Sequence, residues 1–201
     1  MTSFHKPVAV DIAADGSMTG SSRIYEKALG DLDGLYRDSA AFNAEVSRRG
    51  ADEIVYFVHE QKYGSGPGDL IVGTSTLLPG SVGDEFAMTR GHLHAIADRA
   101  ELYHCLSGHG VMLLDTLEGE SIAVELTPGK AVNVPGNWVH RSINVGDQPF
   151  VTLFCYAADA GQNYPIIAHA GGMRTLIVKE GGGWSQVANP DHRGYVPDSD
   201  Q

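Results

Sequence analysis

From Asp52 onward the chain is a succession of short apolar runs, each closed by Gly, Pro, Asp or Asn. The runs occupy 54–58, 70–78, 102–106, 111–114, 122–126, 131–134, 140–144 and 151–156, and between them stand Pro79-Gly80, Ser107-Gly108-His109-Gly110, Thr127-Pro128-Gly129 and Pro135-Gly136-Asn137. Runs this short with turn chemistry between them read as strands of an antiparallel sandwich or barrel. The 25 glycines and 9 prolines agree, since a helical bundle has little use for so many turns. One helix is expected over 40–49. Asp38-Ser39 caps it, Phe42 and Val46 lie four apart on one face, and Gly50 stops it. Residues 1–37 carry few periodic signals, and the polar, Gly-rich stretch from Gly181-Gly182-Gly183 reads as a loop and a loosely held end. With 201 residues, no internal repeat and no linker, the expectation is one structural domain. It comprises an extension over 1–50 with its helix packed on the barrel, a β-barrel over 51–180 and a tail over 181–201.

Charge narrows the function classes. A net charge of −11 repels phosphate backbones and anionic lipid, so neither nucleic acid nor a membrane surface is an expected partner. Any phosphorylated ligand must be held by a local site working against that field. No apolar stretch approaches the roughly 18 residues of a membrane span. The first residues lack a basic start followed by an apolar run, so no secretory signal is expected. Cys105 and Cys155 each lie in a strand-like run and read as small buried hydrophobes, not as a disulfide. A reduced, cytoplasmic protein is expected.

The chemistry gathers around histidine. His92-Leu93-His94 places two imidazoles on the same face of a strand, Glu101 follows after six intervening residues, and His140 opens another strand. Three imidazoles and a carboxylate are a ligand set for a divalent transition ion such as Zn, Fe, Mn or Ni. On an octahedral ion four protein ligands leave two positions for substrate. A His-x-His pair by itself is more often surface decoration, so its Gly and Pro landmarks carry much of the weight. His5, His59, His169 and His192 have no motif around them and read as surface or loop residues. His104 should point away from the cavity if Glu101 and Tyr103 point in, and His109 should be exposed in its turn.

Those landmarks resemble the cupin family. Its first motif ends in His-x-His, Glu and Gly, here His92, His94, Glu101 and Gly108; its second is met by Gly129, Pro135, His140 and Asn144. Its opening Gly falls on Phe86 and its Gly after the Pro on Asn137, a residue that tolerates left-handed backbone angles. The gap before Glu101 is longer than the general pattern. The blocks Thr89-Arg90-Gly91-His92-Leu93-His94 and Arg99-Ala100-Glu101-Leu102-Tyr103 are similar to the cupin-type phosphoglucose isomerases of archaea and some bacteria. That likeness extends over roughly 23–180. It implies a cupin double-stranded β-helix (jelly-roll) barrel and a metal-dependent isomerase that interconverts glucose 6-phosphate and fructose 6-phosphate, a step of glycolysis and gluconeogenesis.

The resemblance also implies roles. His92, His94, Glu101 and His140 would hold one divalent ion per subunit, Fe2+ first, with Mn2+, Zn2+ or Ni2+ as alternatives. Glu101 would carry the proton between C1 and C2, unless the hydrogen moves as a hydride, and Tyr103 would contact the sugar or position Glu101; a core tyrosine is the plain alternative. Thr89, the Gly91 N–H and Ser75 match the family's phosphate cradle, with Arg90 as an extra charge. Tyr156 and Tyr164 are candidate sugar contacts or a barrel rim. A His expected after Asp159-Ala160-Gly161 is Gln162 here, which leaves that contact open. The partner is then a sugar phosphate, and a homodimer is expected. The competing readings are a cupin isomerase of another ketose or sugar phosphate, an Fe(II) dioxygenase and a non-catalytic sugar-binding cupin.

Overall fold

All eight apolar runs become strands, and the turns between them fall where Gly and Pro stand. The structure is a computed structural model that describes residues 6–21 and 23–196; His5 lies outside the described residues. In chain order the elements are β1 (Arg23–Ala28), a 3-10 turn (Leu29–Leu32), α1 (Ser39–Arg49), β2 (Ile54–Lys62), β3 (Leu70–Leu77), and the two-residue β4 (Ser81–Val82) and β5 (Glu85–Phe86). Then come β6 (Glu101–Ser107), β7 (Gly110–Thr116), β8 (Ser121–Leu126), β9 (Ala131–Val134), β10 (Trp138–Asn144), β11 (Phe150–Ala157), α2 (Pro165–His169), β12 (Thr175–Glu180) and β13 (Gly183–Ala188). The helix begins as expected: Asp38 accepts a hydrogen bond from the Ala41 N–H, and Gly50 closes the other end at φ +97°.

Three antiparallel sheets result, ordered β1-β2-β3-β11-β6-β9, β10-β7-β8 and β13-β12-β5-β4. The large sheet shows the alternation of a half-buried surface. On β6 Glu101, Tyr103 and Cys105 are buried, Leu102 is exposed and His104 half-buried. His104 therefore does point away from Glu101 and Tyr103. On β7 the run Val111-Met112-Leu113-Leu114 is buried without a break, because the C-terminal segment covers the strand's second face. The Tyr195 hydroxyl and the Arg174 N–H both donate to the fully buried Asp115 carboxylate. One hydrophobic cluster runs from Leu29 and Phe42 through the strands to Met173 and Ile177.

Several expectations are corrected. The N-terminal stretch is not featureless: β1 is the edge strand of the large sheet, paired with β2 from Arg23↔Glu60 onward. Residues after 180 are not merely a loose tail, because β13 forms a hairpin with β12. His59 lies in β2 and is half-buried, and His169 ends the short α2. Both cysteines are free, with Cys105 buried and Cys155 half-buried, so only the first behaves as a core residue.

Asn144 shows how a single polar side chain holds the turn after β10. It is fully buried; its amide donates to the carbonyls of Leu77 and Gln148, both at 2.9 Å, and its oxygen accepts from the Gly146 N–H at 3.0 Å. Asn144→Ala leaves three buried groups without partners and should destabilise the protein by about 3 kcal/mol. Urea unfolding monitored by circular dichroism checks this; a loss below about 1 kcal/mol would show that water replaces the amide at no penalty.

Candidate metal centre and substrate cavity

Four buried side chains converge. Glu101 opens β6, His140 is the third residue of β10, and His92 and His94 come from the segment ahead of β6. The expected strand around His92-Leu93-His94 is not a regular one. Isolated bridges hold it, His92 to His140 and Leu93 to Asn163. Just upstream the segment pairs Met88 with Ile143, and the residue numbers of that pair sum to one less than those of His92 and His140. One extra residue is therefore inserted between Thr89 and His92. This is a β-bulge, and Gly91 occupies it at φ +70°. A Cβ at Gly91 would also meet the His140 carbonyl and the Ile167 side chain, each at 2.8 Å. Strict alternation would send Thr89 and His92 to opposite faces, whereas the bulge lets both line one cavity.

Glu101 Oε2 lies 3.1 Å from His140 Nε2, 3.2 Å from His94 Nε2 and 3.8 Å from His92 Nε2, and the four candidate ligand atoms all fall within 4.8 Å of one another. The outer nitrogens are spoken for. His94 Nδ1 is 2.8 Å from the Arg99 carbonyl and His140 Nδ1 is 3.1 Å from the Trp138 carbonyl. A carbonyl only accepts, so each Nδ1 carries a proton and each ring turns its Nε2 toward Glu101. His92 Nε2 is buried and has no hydrogen-bond partner. Three Nε2 atoms and a carboxylate at these distances need protons or a cation between them, and the donor set fits a divalent ion in that place.

The electrostatics agree. Burial acts to raise the Glu101 carboxyl, but the His140 and His94 contacts reverse this and hold it well below the usual carboxylate range. Burial pushes the His94 imidazole down and Glu101 more than offsets it, whereas burial, reinforced by His140, leaves His92 well below its ordinary value. Glu101 is ionised and His92 neutral near pH 7.

Every substrate residue expected from the sequence lines the adjoining cavity: Ser75, Thr89, Arg90, Gly91, Tyr156 and Tyr164, together with Glu101 and Tyr103. Gln162 lines it too and accepts a hydrogen bond from the Tyr164 hydroxyl. The Arg90 guanidinium sits over the Tyr164 ring, 4.7 Å from its centroid, and that ring meets His92 edge-on at 5.7 Å. Tyr25, Tyr56 and Arg141 also line the cavity, and sequence reasoning missed them. For Tyr25 the missing signal was β1 itself, while Tyr56 shared a short run with nothing polar beside it. Burial raises the phenols of Tyr25, Tyr56, Tyr103, Tyr156 and Tyr164. All five stay protonated and can donate hydrogen bonds. Arg99 was also missed: Asp159 grips its guanidinium at 2.8 and 3.1 Å, which fixes the loop whose carbonyl orients His94.

Antiparallel sheets with three histidines and a glutamate gathered between β6, β10 and the segment ahead of β6 define the cupin class. Within it, the family model described as glucose-6-phosphate isomerase (GPI) matches residues 26–193. The chain is 46% identical over 195 residues to the glucose-6-phosphate isomerase of Sinorhizobium medicae (strain WSM419), covering 96% of this chain and 91% of that protein. It is 41% identical over 187 residues to the glucose-6-phosphate isomerase of Thermococcus onnurineus (strain NA1), covering 93% and 97%. The chain belongs to the glucose-6-phosphate isomerase family.

Removing one imidazole should open the cluster. His92→Ala, His94→Ala and His140→Ala should each weaken binding of a divalent transition ion by more than about a hundredfold, the upper range for losing even an outer partner of a ligand. Competition against a chromogenic chelator measures this. Unchanged affinity in His92→Ala would remove that residue from the ligand set.

Proposed function

We propose that this chain interconverts fructose 6-phosphate and glucose 6-phosphate, using one divalent transition ion per subunit held by His92, His94, Glu101 and His140. The observation that carries the reading is that one cavity is lined both by the ligand cluster and by the Thr89-Arg90-Gly91 turn with Ser75. Reacting carbons and a phosphate can thus be held at once. Fe2+ is our first choice of ion, with Mn2+, Zn2+ and Ni2+ as alternatives for an imidazole and carboxylate set. When bound, the ion would act as a Lewis acid on the open-chain sugar's carbonyl.

The remaining work falls to side chains. Ionised Glu101 takes the proton from C1 of the ketose, leaving a cis-enediol, and returns it to C2, while a hydroxyl proton passes from O1 to O2. Tyr103, a protonated phenol two residues along the same strand face, positions Glu101 or donates to the sugar. Tyr156 and Tyr164 donate to sugar hydroxyls. The Thr89 hydroxyl accepts from the Ser142 N–H at 3.2 Å and donates to the Ser142 carbonyl only at 3.5 Å, a long bond it would exchange for one to a phosphate oxygen. Ser75 and the Gly91 N–H complete the cradle and Arg90 adds charge. The polar lining fits an anionic sugar better than a dioxygenase substrate.

We read the enzyme as a homodimer, because Ile24, Leu70 and Leu102 leave apolar side chains exposed on β1, β3 and β6 of one sheet. No described helix is long and apolar enough to cross a membrane, and two free thiols fit the reducing cytoplasm.

Stripping metal should abolish turnover, and a divalent ion should restore it. Thr89→Ala should raise the KM for fructose 6-phosphate at unchanged metal content, because a hydrogen bond to a charged group contributes about 1.5–3 kcal/mol. A coupled glucose 6-phosphate assay reads both. Equal turnover of fructose and fructose 6-phosphate would instead select the free-sugar isomerase.

Glu101→Gln, saturated with metal, should lose roughly 10²–10⁴-fold in kcat, the usual contribution of a general base. In heavy water an enediol route should place some deuterium at C1 or C2. Near-normal kcat in the saturated variant would remove Glu101 as base, and complete absence of exchange would favour a hydride shift.

A further inference from the structure

We infer that Arg141 is a positioning residue for the anion cradle: it faces the Arg90-Gly91 bulge and aims the Gly91 N–H into the cavity. The pairings around the bulge set Ser142 against Thr89 and His140 against His92, which leaves Arg141 alone opposite two residues. Its side chain fills the space so created. Nη2 donates to the Arg90 carbonyl at 2.7 Å and Nη1 reaches Met88 Sδ at 2.9 Å. In a trans peptide the carbonyl and the following N–H point in opposite directions. Holding the Arg90 carbonyl on the guanidinium therefore turns the Gly91 N–H away from Arg141. Among the described residues that N–H has no acceptor, and Gly91 lines the cavity.

The burial of Arg141 supports the same role. It is 4% exposed, makes no ion pair among the described residues, and its Nε has no hydrogen-bond partner. A buried, unpaired cation is costly to keep, and it is out of place in ordinary packing. Beside a cavity that receives a dianion it adds, in low dielectric, to the positive charge that Arg90 brings to the wall of a chain whose net charge is −11. Lysine would keep the charge at Arg141 but not the fork that grips Met88 and the Arg90 carbonyl together.

The inference deepens the isomerase reading and rests on it for the choice of substrate. The test uses metal-loaded protein and inorganic phosphate as the probe. Arg141→Met should weaken phosphate binding, and raise the KM for fructose 6-phosphate, by about tenfold to a hundredfold. Bound metal should stay at the wild-type level and kcat should keep most of its value. Arg141→Lys should recover part of the phosphate affinity, and millimolar guanidinium should recover part of it in Arg141→Met. If Arg141→Met does not fold, Arg141→Lys carries the test, with phosphate affinity between wild type and none. Unchanged phosphate affinity in a folded, metal-loaded variant would overturn the inference, as would a loss confined to kcat or metal content. Wild-type protein that binds phosphate through Arg141 yet fails to isomerise fructose 6-phosphate would sink the isomerase reading and leave this inference standing.

Discussion

A buried carboxylate faced by three imidazoles is the constraint around which the inner end of this barrel is organised. Glu101 is 3% exposed and ionised, and an isolated charge at that depth would be neutralised by a proton or driven out to solvent. It stays because Nε2 atoms of His94 and His140 stand 3.2 and 3.1 Å away. Those rings are in turn held from behind by backbone carbonyls of Arg99 and Trp138. Each support leads outward to the fold. The Arg99 carbonyl is placed by the salt bridge to Asp159, and that of Trp138 by the entry of β10 after the Pro135-Gly136-Asn137 turn. At the turn Asn137 takes φ +69°, and a Cβ on Gly136 would strike the Asp98 backbone within 2.5 Å.

The same logic explains how so acidic a protein could present the anion site we propose. Global charge acts through water and is screened beyond about 10 Å, whereas the cavity wall is close and largely buried. Five protonated phenols, the Thr89-Arg90-Gly91 turn and the buried Arg141 are donors or cations, and among the described residues Glu101 is the one carboxylate in the wall. Arg90 lies over Tyr164, which meets His92 edge-on, so cradle and ligand cluster touch through one ring. Any shift of that tyrosine is felt on both sides.

Much of this was legible in the chain and some of it was not, for physical reasons. Strands β2, β3 and β6–β11 were readable because their residues alternate or run apolar between turn formers, and α1 because Asp38 and Gly50 mark its ends. The strands β1, β12 and β13 escaped. β1 is an edge strand with exposed Arg23 and Ile24 and β13 is largely exposed, so neither needs the apolar pattern that betrays a buried strand. The ligand set was readable from four residue types at a particular spacing. Arg141, Arg99 and Tyr25 were not, because each depends on which distant segment lies opposite, and that is a property of pairing rather than of local sequence.

The bulge at Gly91 is where fold and site meet most closely. Thr89 and His92 are three apart, an odd separation that a flat strand would send to opposite faces. Donor and ligand can share a cavity only if one residue between them is taken out of the alternation. Gly91 does so through a left-handed φ, in a space where a Cβ would meet the His140 carbonyl and the Arg141 Cβ at 2.8 and 3.0 Å. The flanks are pinned: the Thr89 N–H donates to the Ser142 carbonyl at 2.9 Å, and the His92 and His140 backbones exchange hydrogen bonds at 3.0 and 2.9 Å. Four consecutive residues thus run from Thr89, where we propose the phosphate binds, to the histidine cluster on a backbone clamped at both ends. The separation between the two is then a property of the sheet, not of flexible side chains. A site built this way selects its substrate by length, because the distance from anion to reacting carbons must match a spacing the backbone does not readily change.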